Sequence, residues 1–146
     1  MTPIFLIESL AAEVGEELKD FKLIAENQPD KKVTIYKQLM PLDHFESDTF
    51  YPNVTISIQA VESINYQERA ATVLFTIGVY KGDKDDGWRD LFNLAERISQ
   101  YLYKRPAVAN RFPRTGDILF ALQADEVDPF YFGNIYAKFK VATPQI

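Results

Sequence analysis

Two strand-like runs followed by one long amphipathic helix constrain this chain more than anything else in it. Residues 54–61 alternate, with Val54, Ile56, Ile58 and Ala60 on one side and Thr55, Ser57, Gln59 and Val61 on the other. Residues 71–80 repeat the pattern, placing Ala71, Val73, Phe75, Ile77 and Val79 opposite Thr72, Leu74, Thr76, Gly78 and Tyr80. A period of two means a strand with one buried face. From Trp88 to Lys104 the period changes: Leu91, Leu94, Ala95, Ile98 and Leu102 recur at three- and four-residue steps, the stripe of a helix that packs on a sheet. Asp85 or Asp86 can cap its start, Lys104 and Arg105 suit its C-terminal dipole, and Pro106 stops it. The linker 62–70, with Asn65 as turn residue, fits an extended hairpin arm.

The remaining sequence completes an α+β plan. Ile7, Leu10, Ala11, Val14, Leu18 and Phe21 form the stripe of a first helix over residues 3–21, and Gly15 predicts tight packing or a slight break at its middle. Residues 33–37 read as a short strand, 38–51 as a long loop with a helical turn, 111–116 as a second irregular segment, and 118–123 and 132–141 as two closing strands. Asn27-Gln28-Pro29-Asp30 marks a turn. The expected fold is therefore a mainly antiparallel sheet with an N-terminal helix and one long helix packed on it. At 146 residues, 1–146 reads as a single domain that buries about two-thirds of its unfolded surface.

Composition excludes several function classes. There is no cysteine, which removes disulfides, thiolate catalysis and cysteine-based zinc sites. No run of about eighteen apolar residues is present, so a membrane span is not expected. The apolar start lacks a basic leader and runs into Glu8, Glu13, Glu16 and Glu17, which reads as cytoplasmic synthesis. The net charge of −5 is concentrated in the first thirty residues. Lys104, Arg105, Arg111 and Arg114 form a stretch with no acid between them, either a contact for phosphate or an acidic partner, or a solvated segment behind a helix end. The overall acidity argues against nucleic-acid duplex binding as the main activity.

No constellation for catalysis, cofactor or metal emerges. The acidic turn 82–87 fails as a calcium loop, because Gly87 and Leu94 stand where ligands belong; a turn and helix cap is the better reading. His44, between Asp43 and Glu46, reads as a surface or interface histidine. Asp125, Glu126 and Asp128 read as a solvated hairpin loop, and the glycines and serines fit neither a phosphate loop nor a nucleophile elbow. Aromatic residues, by contrast, are plentiful, and Phe45, Phe50, Tyr51, Tyr66, Phe112, Phe130 and Tyr131 fall in predicted loops. Aromatics placed there either make subunit contacts or tuck beneath the loops as satellite core.

Read in order, these elements resemble a family. Ile35-Tyr36-Lys37-Gln38 with Pro41, Tyr51-Pro52-Asn53-Val54 and Phe75-Thr76-Ile77-Gly78-Val79-Tyr80 carry the resemblance. Gly116-Asp117-Ile118-Leu119-Phe120 and Tyr131-Phe132-Gly133-Asn134-Ile135-Tyr136 complete it. The chain is similar over residues 33–141 to the tail terminator proteins of long-tailed bacteriophages, which are also described as tail completion or tail-to-head joining proteins. The resemblance implies a non-enzymatic virion protein without cofactor, assembled in the host cytoplasm. It would form a ring of its own copies, commonly a hexamer, on the tail tube protein and meet the head connector or completion protein. Contact residues proposed on that basis, from loop position and residue type, are Phe45, Phe50, Tyr51, Tyr66, Arg111, Phe112, Arg114, Phe130 and Tyr131. The alternatives are another phage neck or tail component and a small-ligand-binding α+β domain.

Overall fold

The computed structural model describes residues 3–21, 32–45, 47–80, 87–123 and 130–142. Helix α1 (Pro3–Leu18) is followed by strand β1 (Thr34–Lys37), two 3-10 turns (Leu42–His44 and Asp48–Phe50) and strands β2 (Asn53–Ser63) and β3 (Glu68–Tyr80). Helix α2 (Gly87–Lys104) leads to β4 (Ala107–Val108), β5 (Phe112–Leu122) and β6 (Phe130–Ala142). The fold is α+β, with a six-stranded sheet in the order β1-β2-β3-β6-β5-β4. Only β1 and β2 run parallel; the other neighbours are antiparallel.

Both helices cover one face of this sheet. Leu91, Leu94, Ala95, Ile98 and Leu102 are buried as the periodicity predicts, with Tyr101 added to the stripe. They meet Val73, Phe75, Ile77, Ile135, Ala137 and Phe139 from the two central strands in one core. Each fully buried leucine or isoleucine contributes roughly 1.5–3 kcal/mol, so this stripe anchors the layer. In α1, which ends at Leu18, Leu10, Val14 and Leu18 of the expected stripe are buried, as is Phe21 just beyond it, with Leu6 rather than Ile7 at its start; the helix packs against α2 as well as β1 and β2. It runs through Gly15 without a break, and a methyl group there would meet only Ile35 at an ordinary 4.0 Å, so the expected tight packing or kink is absent.

Strands β2 and β3 extend beyond the helices as a hairpin arm. Its tip is closed by Asn65, whose Oδ1 accepts the backbone N–H of Gln67 (2.8 Å) and Glu68 (2.9 Å). At the base of the arm Gln59 is an extra residue between Ile58, opposite Val73, and Ala60, opposite Thr72. Such a bulge reverses which side each later residue faces. Val61 therefore pairs with the buried Ala71, and Ala60 leaves the face it shares with Ile56 in a strict alternation.

Other expectations are corrected. Residues 111–116 are not irregular: β5 starts at Phe112 and pairs with β4 across a three-residue turn in which Ala109 (φ +52°) and Asn110 (φ +56°) are left-handed. Pro113 and Gly116 hid this strand, since both interrupt an alternating pattern. Phe130 and Tyr131 are not loop residues but the first two of β6, opposite Tyr80 and Val79. The acidic turn at 82–86, the turn at 27–30 and the carboxylates Asp125, Glu126 and Asp128 lie outside the described residues.

Candidate assembly surface

The long loop 38–51 folds over the sheet face that the helices leave uncovered. Tyr51 is only 1% exposed; its ring stacks on Phe130 at 4.3 Å, edge-on to Phe132, and its hydroxyl donates to the Phe45 carbonyl at 2.9 Å. Gly78 makes room for this ring, since a methyl group there would stand 2.8 Å from Tyr51 and 2.9 Å from Asn53 Oδ1. The Tyr51–Pro52 peptide is cis. Asn53, buried beside it, donates from Nδ2 to the Phe50 carbonyl at 3.0 Å. His44 lies flat on Phe50 with centroids 3.6 Å apart, and its Nδ1 is 2.8 Å from the Tyr36 hydroxyl. Burial, then the Asp43 charge, raise the Tyr36 phenol above its ordinary value. The histidine thus serves as a packing element that pins the loop.

With Phe50 and Tyr51 used inward, the loop turns Leu39, Leu42 (87% exposed) and Phe45 to solvent. Two of these residues escape a search confined to aromatics. Their signal was an unperiodic loop with leucines at positions no helix or strand would bury.

The acidic helix and much of the basic segment partner each other. Glu13 of α1 accepts the Tyr101 hydroxyl at 2.8 Å and the Ala109 N–H at 2.8 Å, with Arg105 Nη1 3.7 Å away. Lys104 reaches Glu17 at 3.6 Å, and Arg97 donates to the Glu17 carbonyl at 2.9 Å. Arg114 donates to the Gly116 carbonyl and lies over the Tyr103 ring, while Arg111 remains exposed. Much of the basic stretch therefore clamps α1 to the end of α2 and to the β4–β5 turn. Beside this clamp lies an open hollow of about 220 Å³ lined by Glu13, Lys104, Arg105 and Asn110. That is smaller than the roughly 300–1,000 Å³ of ordinary ligand pockets.

Exposed apolar side chains gather at two further places. The arm carries Val61, Ile64 and Tyr66 (87% exposed). The flank where α2 meets β5 carries Trp88 (45% exposed), Phe92 and Leu122, with Phe92 edge-on to Phe120 and Arg89 over the Trp88 ring. Large aromatics with arginine beside them are the composition of binding hot spots.

Of the nine candidate contact residues, Phe45, Tyr66 and Arg111 are exposed. Phe50, Arg114 and Tyr131 are half-buried, and Tyr51, Phe112 and Phe130 are interior residues of the chain itself. Tyr51 and Phe130 take the satellite-core reading, packing on each other in a small cluster, whereas Phe112 belongs to the main core and packs against Phe5 of α1. Trp88 and Phe92 lie off the sheet-packing stripe of α2 and belong to the outer surface. No protein-family model matches this chain, and no curated protein sequence is significantly similar to it.

Proposed function

We propose that this chain is a structural virion protein of the tail terminator type. It forms a ring of its own copies that caps a tail tube, ends tube growth and presents a surface to the head connector. The observation that carries the reading is the division of the molecule into a braced scaffold and three outlying apolar surfaces. The sheet, α2 and the α1 clamp are locked by a continuous core, while loop 38–45, the arm tip and the α2–β5 flank leave large apolar side chains in solvent. A ring requires two different patches per subunit, related by a rotation that closes. An arm projecting from one side of the sheet and an apolar flank on the other meet that requirement.

In this role the chain performs no chemistry and takes no cofactor; its action is to cover the growing end of the tube. The test is reconstitution with the cognate tail tube protein. Adding the purified chain to polymerising tube protein is expected to arrest elongation and leave a ring at one tube end. Continued growth at an unchanged rate would contradict the proposal.

A further inference from the structure

The bulge at Gln59 has a second effect: it brings Glu62 onto the sheet face that carries no helix. Residues directly opposite on neighbouring strands share a face, so the register lays that face out in rows. Towards the arm tip they read Ser57–Leu74–Tyr136–Leu119, then Ala60–Thr72–Lys138–Thr115, then Glu62–Ala70–Lys140, and last Glu68–Ala142. Loop 38–51 covers this face at Gly78 and Phe132, and leaves Leu119 (58% exposed) and Tyr136 in solvent.

Two properties set these rows apart. The middle strand, β3, presents the short side chains of Ala70 and Thr72, over which a second sheet can approach to the usual separation of about 10 Å. The charges are segregated, with the acids Glu62 and Glu68 on β2 and β3 and the bases Lys138 and Lys140 on β6. Glu68 and Lys140 stand 3.9 Å apart within the chain, whereas Glu62 and Lys138 have no ion-pair partner among the described residues. Asp117, in the bulge of β5, is the remaining charge along this border.

We propose that this face packs on the same face of a second copy of the chain, about a two-fold axis that runs along β3. Such an axis exchanges β2 with β6 within every row. Glu62 then meets the partner's Lys140, Ala60 meets the partner's Lys138, Ser57 meets the partner's Tyr136, and Ala70, Thr72 and Leu74 meet their own counterparts. A two-fold axis across the strands would instead lay β2 on β2 and β6 on β6, setting acid beside acid and lysine beside lysine. Charge selects the first arrangement. Both copies of loop 38–51 lie at the same end, so the sheets close at the arm and splay towards the loops. From Leu74 to Glu68 the rows span about 20 Å, and four strands span about 14 Å. That is a few hundred Å² from each copy against the roughly 800 Å² per partner of a stable complex, so the dimer is weak and depends on concentration. The contact joins like surfaces, and so goes beyond the ring reading without resting on it.

The absence of cysteine provides a clean test of the axis. Thr72→Cys, beside the axis, and Gln100→Cys, on the exposed side of α2, are checked for native circular dichroism and oxidised at equal concentration. Thr72→Cys is expected to give several-fold more disulfide-linked dimer. In sedimentation velocity over a concentration series, Glu62→Lys and Lys140→Glu should each weaken the dimer about tenfold, and the chain carrying both exchanges should recover it. A chain that stays monomeric at its solubility limit overturns the proposal, as does Thr72→Cys linking no better than Gln100→Cys, or a double exchange that recovers nothing. Arrest of tube growth is read separately: its failure with the dimer intact sinks the tail reading alone, and its success with no dimer sinks the face contact alone.

Discussion

At the scale of single residues, Glu13 is the most consequential side chain outside the apolar core. Its carboxylate holds the Tyr101 hydroxyl and the Ala109 N–H, and so fixes a turn in which alanine has φ +52°. A non-glycine residue in that region costs about 1–2 kcal/mol, partly offset for glycine by the extra freedom of its unfolded chain. Ala109→Gly should therefore stabilise the protein by about 0.5 kcal/mol in urea unfolding, an unusual direction for a glycine substitution. Tyr101→Phe removes a donor to a charged acceptor and should cost about 1.5–3 kcal/mol at neutral pH.

The buried tyrosines also set an alkaline limit. Burial, and then the bond to Glu13, raise the Tyr101 phenol well above the usual tyrosine value, and burial pushes Tyr51 up to about 12. Folding thus favours the neutral phenols. Their contribution is complete below the unfolded value of 10 and, for Tyr51, is lost as pH rises from there towards about 12. Urea midpoints should fall over this window, and less steeply in Tyr51→Phe; parallel profiles would refute the assignment.

At the scale of elements, two glycines show how context decides a substitution. Gly15 lies inside a continuous helix with ordinary space around it, so Gly15→Ala should stabilise by about 0.5–1 kcal/mol. Gly78 lies under the Tyr51 ring, where a methyl carbon would stand only 2.8 Å from that ring, so Gly78→Ala should cost about 1–3 kcal/mol and loosen loop 38–51. Thermal unfolding of both variants checks the opposite signs. The elements themselves were legible where one period persisted, as in α2 and the opposed pair β2 and β3. They were hidden where a local device broke the period: the Gln59 bulge, Pro113 and Gly116 in β5, and the two-residue β4, too short to show any period. Aromatic enrichment located the loop that matters but not the direction its rings face. Tyr51 and Phe130 turn inward because the uncovered sheet face offers apolar partners, which periodicity along one strand cannot reveal.

At the scale of the whole molecule, acidic α1 and the basic stretch after α2 cancel each other across the fold. The net charge of −5 is therefore not the mark of a single acidic surface. Among the described residues, large exposed apolar side chains gather on a leucine-bearing loop, an arm tip and an aromatic flank, held apart by one sheet. This arrangement suits a subunit that works by contact with several neighbours. On the tail-terminator reading proposed above, those neighbours would be further copies, a tail tube and a head connector. The most direct measurement is the contour length of tails assembled with this gene disrupted, by electron microscopy. The account predicts tails of irregular, extended length without attached heads, restored to uniform length by the intact gene. Tails of normal length joined to heads in its absence would contradict it.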